Sequence, residues 1–308
     1  MATVHVPAAE DGQRVATLRS EDHVDGVFAC TRKERQISRA GTPYLTLELS
    51  DRTGTILARA FRDADLLSGR FRRGQLVRVQ GRVVRFREEL QVEVQTIAPA
   101  AVPDADLGRF LPSAYRDLDE LEGFIEHLAR EVYDPALKLM LARMLADAEL
   151  RRELRRAPCS IPGGKSPSAH HAYLGGLLEH TVAVATLALE LCSLHVRLDR
   201  DLLLSAALVH DLGKTREFAY GAEITTSDEG KMLGHVELGL RVLHEFAPPA
   251  LTGERRLALE HCVLLHHGAD AATGRSFGSP ESHALYRLNA LDAQVKGVLE
   301  HAPRASGG

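Results

Sequence analysis

The run Leu208-Val209-His210-Asp211-Leu212-Gly213-Lys214 places a histidine beside an aspartate at the end of an apolar stretch. An adjacent imidazole and carboxylate can together hold a divalent ion, while the lysine three residues further on can reach a phosphate oxygen. On its own the pair is a weak indication of such a site. Its context strengthens it, because twelve of the fifteen histidines lie between His170 and His301.

Helical periodicity points two of these histidines into the protein. His180 follows Leu177 by three residues and precedes Val184 by four, and His210 continues an apolar stripe of its own helix. A single buried histidine is more often hydrogen-bonded to a carbonyl than bound to a metal. Three polar groups in a helical interior are costly unless a cation or hydrogen bonds compensate them. We therefore predict that His180, His210 and Asp211 bind a metal ion together.

The bulk composition restricts the class of protein. A chain of 308 residues with 44% hydrophobic residues is expected to form two or three domains. The formal net charge of −4 argues against a purely electrostatic nucleic-acid binder, although residues 14–98 hold 16 Lys and Arg against 11 Asp and Glu. The four cysteines show no CxxC spacing, and we find neither a signal peptide nor an apolar run long enough to span a bilayer. We therefore expect a cytoplasmic enzyme that does not bind a membrane.

Residues 14–98 have the pattern of a small β-barrel. Five short runs, rich in Val, Leu, Ile, Thr or aromatic residues and separated by turn residues, indicate strands. They span 24–30, 43–49, 54–61, 76–85 and 90–97. The phrases Gly41–Leu45, Leu49–Gly54 and Arg73–Gly81 resemble the OB-fold of nucleic-acid-binding proteins. The sequence therefore predicts a multidomain protein, first β and then all-α, with a five-stranded OB barrel at 14–98.

The rest of the chain is predicted to be helical. Residues 99–112 hold three prolines and no periodicity, which is typical of a linker. Residues 113–157 repeat apolar residues at three- and four-residue steps and form the predicted helical connector. From 158 to 302 we expect one helical domain with no strand. Its predicted helices span roughly 174–195, 200–212, 231–246, 254–267 and 281–300.

Basic residues crowd the later strands of the predicted barrel, next to aromatic rings. Cationic groups beside stackable rings suit a single-stranded nucleic-acid backbone, whereas any one arginine is more often part of a solvated strand face. Taken as a set, they favour nucleic-acid binding. The predicted binding residues are Arg70, Arg72, Arg73, Arg78, Arg82, Arg85, Phe86 and Arg87.

Several motifs together resemble the YhaM-type 3′→5′ exoribonucleases, which are HD-superfamily metal-dependent phosphohydrolases with an N-terminal OB domain. The resemblance covers the chain from about residue 15, with the same domain order. The segments that carry it are His170–Thr181, His210–Lys214, Gly234-His235, Leu265–Gly268 and Gly278–Glu281.

This resemblance implies an HD phosphohydrolase domain at 158–302 and one or two divalent ions, with Mn²⁺ as the favoured metal. It makes His180, His210 and Asp211 metal ligands. A second metal position would be completed by His235, His266 and His267. For catalysis we expect Asp211, Lys214 at a phosphate oxygen, and His171 at the substrate or as a proton donor.

One position departs from the family pattern. Such proteins usually carry Asp-x-x-Asp-Ala on the last core helix, with the first aspartate closing the metal site, but this chain has Asn289-Ala290-Leu291-Asp292-Ala293. Three interpretations stay open: Asn289 is a ligand, Asp292 replaces it, or the site is weakened. Asp292 could alternatively form only a surface pair with Lys296.

The predicted function is a metal-dependent 3′→5′ exonuclease that hydrolyses single-stranded RNA, and DNA as a further substrate, with the OB domain holding the strand. A homo-oligomer is compatible with this function. One alternative is an HD phosphohydrolase for small nucleotides or cyclic dinucleotides. Another is a non-catalytic RNA-binding protein with a weakened metal site.

Overall fold

The computed structural model describes residues 4–5, 13–162, 169–271 and 274–301. Its contacts divide the chain into two compact units. The first comprises Met1–Pro112 together with Tyr220–Thr225, and the second comprises Ser113–Ala219 and Thr226–Gly308.

The first unit is a closed five-stranded mixed barrel. Its strands are β2 (His23–Ile37), β3 (Pro43–Asp51), β4 (Gly54–Ala60), β5 (Leu76–Phe86) and β6 (Glu89–Ala101), and a two-residue strand β1 (Val4–His5) pairs with β6. The order is β6-β4-β3-β2-β5, and pairing of β5 with β6 closes the barrel. The β4–β6 pair is parallel, and the other pairs of the barrel are antiparallel. A short helix α1 (Ala64–Ser68) joins β4 to β5.

Alternation along these strands fills the barrel with apolar side chains, since successive residues of a strand face opposite sides. The fully buried members include Val24, Phe28, Leu45, Leu47, Leu49, Val77, Val79, Val83 and Val92. The predicted five-stranded OB barrel is confirmed. Four of its strands extend beyond the predicted runs, and β4 ends at Ala60, one residue short of the predicted 54–61. The segment predicted as a linker, 99–112, starts inside β6 and then forms a 3₁₀ helix at Asp104–Arg109.

The second unit is a helical bundle. The predicted connector forms α2 (Leu118–Arg130), α3 (Pro135–Ala146) and α4 (Ala148–Arg156). The remaining helices are α5 (Gly176–Leu194), α6 (Arg200–Val209), α7 (Lys214–Glu217), α8 (Asp228–Phe246), α9 (Gly253–Leu265) and α10 (Pro280–His301). Helix α5 packs against α2, α6 and α10, and its apolar residues join the main core of the bundle.

Two sequence expectations need correction. We expected no strand after the barrel, but β7 (Phe218–Tyr220) and β8 (Ile224–Thr226) form a two-stranded sheet. These three-residue strands are too short to give a periodic signal. We also expected no apolar run of membrane-spanning length, whereas α5 is long and apolar enough by length and composition alone. Half of its apolar window is buried in the bundle, and the helix carries His180, so it is a core helix.

Two glycines shape the backbone around the His-Asp run. A Cβ at Gly213 would lie 1.8 Å from the carbonyl oxygen of His235, so only glycine allows this close approach between the start of α7 and helix α8. Gly234 has φ 70°, inside the region that side chains disfavour, and interrupts α8 directly before His235. The kink and the close approach together bring His235 to the segment that carries Asp211.

Candidate metal centre and nucleic-acid interface

Six side chains of the helical unit form one group, which we term the histidine–aspartate cluster. It consists of His180, His210, Asp211, His235, His266 and His267. Asp211 lies at its centre and divides it in two. Oδ2 of Asp211 lies 3.6 Å from His180 Nε2 and 3.5 Å from His210 Nε2, while Oδ1 lies 3.7 Å from His235 Nε2 and 3.4 Å from His266 Nε2. All six ligands predicted from the His-Asp motif and the family resemblance are therefore brought together.

Two helix ends position two of the fully buried imidazoles in the same way. His210 follows the last residue of α6, and its Nδ1 lies 2.9 Å from the carbonyl oxygen of Ala207. His266 follows the last residue of α9, and its Nδ1 lies 2.5 Å from the carbonyl oxygen of Val263. A carbonyl can only accept, so each Nδ1 is the donor and each Nε2 keeps a lone pair for the cluster. The negative ends of both helix dipoles also favour a cation here.

Carboxylates orient two more histidines of the cluster. His180 Nδ1 donates to Asp292 Oδ2 at 2.6 Å, and His235 Nδ1 is 3.3 Å from Glu217 Oε1. This arrangement leaves the Nε2 atoms of His180 and His235 as acceptors. A carboxylate behind a ligating histidine is a common second layer of protein metal sites.

The contacts inside the cluster fit a cation better than a network of hydrogen bonds. The Nε2 atoms of His180 and His210 are 3.2 Å apart, and those of His235 and His267 are 2.7 Å apart. For His180 and His210 the Nδ1 contacts place two Nε2 lone pairs face to face, which is unfavourable without a cation between them. Asp211 Oδ1 and His266 Nε2 are buried and have no hydrogen-bond partner in the described structure.

The protonation states also suit metal binding. Burial, followed by the neighbouring imidazoles, lowers the pKa of His210 to about 3, although Asp211 opposes the shift. Burial likewise lowers the pKa of His180. Burial alone would raise the pKa of Asp211, but Lys214 and the adjacent imidazoles outweigh it and hold this pKa well below its usual range. Neutral imidazoles and an ionised carboxylate are the forms that bind a divalent ion.

Lys214 lies inside this site rather than at an exposed phosphate-binding position. Its Nζ donates to Asp211 Oδ2 at 2.7 Å, and the residue is only 4% exposed. Burial by itself would lower the pKa of Lys214, but the carboxylate of Asp211 more than compensates and the pKa is raised. The expected contact with a phosphate oxygen stays a prediction, whereas the contact that the structure has is an ion pair with the central carboxylate.

His171 is held by two carboxylates behind the cluster. Its Nε2 lies 3.1 Å from Asp292 Oδ2, and its Nδ1 lies 3.1 Å from the hydroxyl of Tyr173, which itself donates to Glu179. Burial would lower the pKa of His171, but Asp292 and Glu179 raise it overall. The residue is 2% exposed and has φ 46°. This geometry favours a positioning role through Asp292 over the predicted role as proton donor to a substrate.

The two candidates on α10 have different contacts. Asp292 bonds His180 and His171, as described above, and Lys296 pairs instead with Glu179 at 3.0 Å. The alternative surface pair between Asp292 and Lys296 is therefore wrong. The Nδ2 of Asn289 donates to the carbonyl oxygen of His266 at 3.0 Å. Asn289 thus supports the end of α9, and its predicted role as a metal ligand stays a prediction.

On the barrel, an aromatic surface lies on the outer face of β3 and β4. Tyr44 and the 45% exposed Phe61 stack with ring centroids 5.6 Å apart. Arg59 lies two residues before Phe61, on the same face of β4, and its guanidinium lies over the ring of Phe86 at the end of β5, 5.2 Å from the ring centroid. Phe86 is also 45% exposed. We call Tyr44, Arg59, Phe61 and Phe86 the aromatic platform. Exposed rings beside a guanidinium suit stacking with unpaired bases.

The predicted arginines divide into two groups. Arg78, Arg82 and Arg85 pair with acidic residues of the same unit, namely Asp25, Glu21 and Glu88. The others have no carboxylate partner among the described residues, and they are Arg70, Arg72, Arg73 and Arg87. Phe86 is the predicted aromatic residue, and it belongs to the platform.

The two units match two family models. The model described as HD domain matches residues 177–295, and the model described as an OB-fold nucleic acid binding domain matches residues 30–100. Several curated relatives that match the chain carry the name 3′-5′ exoribonuclease YhaM. The protein of Shouchella clausii is 30% identical over 292 residues, which cover 90% of this chain and 85% of that protein. The chain belongs to the YhaM family of 3′-5′ exoribonucleases.

Two further YhaM proteins show similar coverage. That of Halalkalibacterium halodurans is 28% identical, covering 88% of this chain and 83% of that protein. The Bacillus subtilis protein is 27% identical, and the match covers 89% of this chain and 86% of that protein. As a member of the YhaM family, the chain is a hydrolytic nuclease that acts on nucleic acid, and its two units are the HD domain and the OB domain of that family.

Sequence reasoning missed the residues that support this YhaM-family site. Glu179 and Glu217 orient His171 and His235, and Tyr44, Arg59 and Phe61 form most of the aromatic platform. A signal existed for Glu179, since it directly precedes His180. Arg59 and Phe61 alternate with the buried Ala58 and Ala60 at the end of β4, so their outward direction could be predicted from the strand 54–61.

Proposed function

We propose that this chain is a metal-dependent exonuclease that shortens single-stranded RNA, and also single-stranded DNA, from the 3′ end. The observation that carries the metal requirement is the central carboxylate of Asp211, whose two oxygens face two groups of imidazole Nε2 atoms. The direction of degradation and the preference for RNA rest on the names of the relatives. The OB domain and its aromatic platform support a single-stranded substrate.

The ligand set favours one or two first-row ions. Imidazoles mixed with a carboxylate suit Mn²⁺, Fe²⁺, Co²⁺ or Zn²⁺ better than Mg²⁺. We propose Mn²⁺, in accordance with the family resemblance. His180, His210 and Asp211 would hold one ion, and Asp211, His235, His266 and His267 would hold the other. A divalent ion in this site supplies an activated water as nucleophile and offsets the negative charge of the phosphate.

The protein groups prepare the site for this chemistry. The backbone carbonyls behind His210 and His266 fix the tautomers, so that no proton on either Nε2 has to leave when an ion binds. Asp292 does the same for His180. Lys214 keeps Asp211 ionised before an ion arrives, because the cation next to it lowers the pKa of the carboxyl. The platform on the barrel stacks bases of the strand whose 3′ end is cut.

The test uses a 5′-labelled single-stranded RNA, the same RNA with a blocked 3′ end, and a circular RNA. With Mn²⁺ the open strand should give a ladder of shortened labelled products, while the blocked and circular RNAs persist and EDTA stops the reaction. Asp211→Asn should abolish shortening. Asp228→Asn is the matched control, because Asp228 is fully exposed and pairs only with Lys231 in the described structure.

Three outcomes would contradict the proposal. Cleavage of the circular RNA would indicate an endonuclease. Hydrolysis of free nucleotides or cyclic dinucleotides without RNA shortening would favour the small-molecule phosphohydrolase. Binding of RNA without turnover under any divalent metal would favour the non-catalytic binding protein.

A further inference from the structure

An open cavity of about 580 Å³ lies at the surface of the helical unit, and none of the residues that line it belongs to the histidine–aspartate cluster. It is formed by the end of α5, the segment that leads to α6, and the first turns of α10. Its apolar lining consists of Leu191, Leu198, Pro280, Ala284 and Leu288. A cavity of this size is sufficient for a small organic ligand.

The rest of the lining is basic. It consists of His195, Arg197, His283 and Arg287, which are all exposed at the mouth of the cavity. None of these four side chains has a carboxylate partner among the described residues. Other arginines of the same unit are paired, such as Arg200 with Glu131 and Arg216 with Glu245. The cavity therefore carries uncompensated basic groups around an apolar floor.

Nearby acidic groups are already engaged elsewhere. Asp199 pairs with Arg255, and the carboxylate of the buried Glu281 accepts the backbone N–H of Asp199 at 2.8 Å. Neither lines the cavity. The positive end of the α10 dipole lies at Pro280, which does line it. The carboxylate of Glu281 lies in the same first turn and offsets this dipole, so Arg197 and Arg287 are the groups that favour an anion at the mouth.

The types of side chain in the lining restrict the chemical class of the ligand further. Guanidinium groups bind phosphate through paired N–H donors, and guanidinium and imidazole planes also stack against nucleobases. The rings of His283 and Phe277 form a T-shaped contact, with ring centroids 4.7 Å apart. A second copy of the chain is a poorer occupant, because a symmetric contact would bring the same four basic side chains together.

We propose that this cavity binds a nucleoside 5′-monophosphate, with its phosphate at Arg197 and Arg287 and its base against the leucine floor and His283. The preference for an anion with an apolar, flat body rests on the cavity alone. The choice of a nucleotide rests on the proposed function. When water attacks the phosphorus of the terminal linkage, the 3′ oxygen of the preceding nucleotide leaves with a proton, and a nucleoside 5′-monophosphate is released.

The experiment measures binding by titration calorimetry with the full-length Asp211→Asn protein in EDTA, so that neither metal nor turnover contributes. The probes are AMP, GMP, CMP and UMP, with adenosine and inorganic phosphate as fragments. We expect one nucleotide per chain, bound at least tenfold more tightly than either fragment. Arg197→Ala combined with Arg287→Ala should weaken nucleotide binding tenfold or more, since each charged hydrogen bond contributes well over a factor of ten.

Arg241→Ala is the matched control, because Arg241 pairs with Glu237 and does not line the cavity. Both arginines of the test variant are exposed, and an unchanged melting temperature verifies the fold. The proposal is overturned if no nucleotide binds, if phosphate alone binds equally well, or if the double variant binds nucleotide like the control.

The same titration separates this site from the proposed function. If the wild-type protein shortens RNA but the Asp211→Asn protein binds no nucleotide, the proposed nucleotide site is refuted and the proposed nuclease function stands. If nucleotide binding depends on Arg197 and Arg287 but the wild-type protein shortens no RNA, the proposed nucleotide site is supported and the proposed nuclease function is refuted.

Discussion

Replacing Asp292 by asparagine tests how the metal centre is organised. Asp292 lies behind His180, with Oδ2 2.6 Å from His180 Nδ1 and 3.1 Å from His171 Nε2. Burial would raise the pKa of Asp292, but the hydrogen bonds from His171 and His180 lower it, so the carboxylate is ionised. Asparagine has nearly the same shape and removes the charge. The substitution therefore weakens the hold on His180 and leaves all six side chains of the histidine–aspartate cluster in place.

The expected loss of metal affinity follows from the position of the Asp292 carboxylate behind a ligating histidine. Loss of a group that orients a ligating histidine typically weakens metal binding 10- to 100-fold. That range corresponds to about 1.4–2.7 kcal/mol of binding free energy. The ion itself should still bind, since the six side chains of the cluster are intact. Saturating Mn²⁺ should therefore restore most of the turnover.

The assay is a Mn²⁺ titration read in two ways, by calorimetry and by shortening of labelled RNA. In Asp292→Asn the Mn²⁺ concentration for half-maximal activity should rise 10- to 100-fold, whereas the exposed control Asp228→Asn should match the wild type. A variant that stays empty at saturating Mn²⁺ would refute the reasoning and make Asp292 a direct ligand. An unchanged titration would show that Asp292 does not orient His180 at all.

Three other substitutions probe the neighbouring groups. Asn289→Asp removes the donor to the His266 carbonyl, so it should lower the free energy of unfolding by about 1–3 kcal/mol without tightening Mn²⁺ binding; higher Mn²⁺ affinity would instead make position 289 a ligand. Lys214→Met leaves the buried Asp211 carboxylate unpaired and should lower the free energy of unfolding of the metal-free protein by about 3–5 kcal/mol. Mn²⁺ should therefore raise the melting temperature of this variant more than that of the wild type, and an equal rise would contradict the prediction. Phe61→Ala removes about 1–3 kcal/mol of base stacking and should raise KM for long RNA about 5- to 150-fold, while cleavage of a dinucleotide stays unchanged. Equal effects on both substrates would exclude the platform as a binding surface for the strand.

Half of the cluster, namely His180, His210 and Asp211, could be predicted from local sequence rules, whereas His235, His266 and His267 were expected only from the family resemblance. His180 occupies the buried stripe of an apolar helix, and His210 and Asp211 directly follow the end of another. Periodicity locates such residues without any knowledge of how the helices pack. The barrel was readable for a similar reason, since alternating strands separated by turn residues leave few other arrangements.

The roles of side chains that depend on tertiary contacts could not be predicted from the sequence. Lys214 is three residues from Asp211, and the sequence could not show whether its ammonium faces solvent or the buried carboxylate. Spacing likewise placed Asp292 and Asn289 on one face of α10 but did not decide what each one contacts. Those contacts are set by His180 of α5 and by the carbonyl of His266 at the end of α9.

The shared geometry of His210 and His266 links folding to metal binding at both helix ends. Each Nδ1–H satisfies a carbonyl three residues earlier, in the last turn, where a helix otherwise leaves carbonyls without partners. The bond that ends the helix therefore also fixes the tautomer that leaves Nε2 available for an ion. Because α6 and α9 end beside opposite oxygens of Asp211, their two C-terminal dipoles add to the negative charge of one carboxylate. The cluster is thus built to hold positive charge before any ligand arrives, and Lys214 is the positive charge that the protein itself supplies.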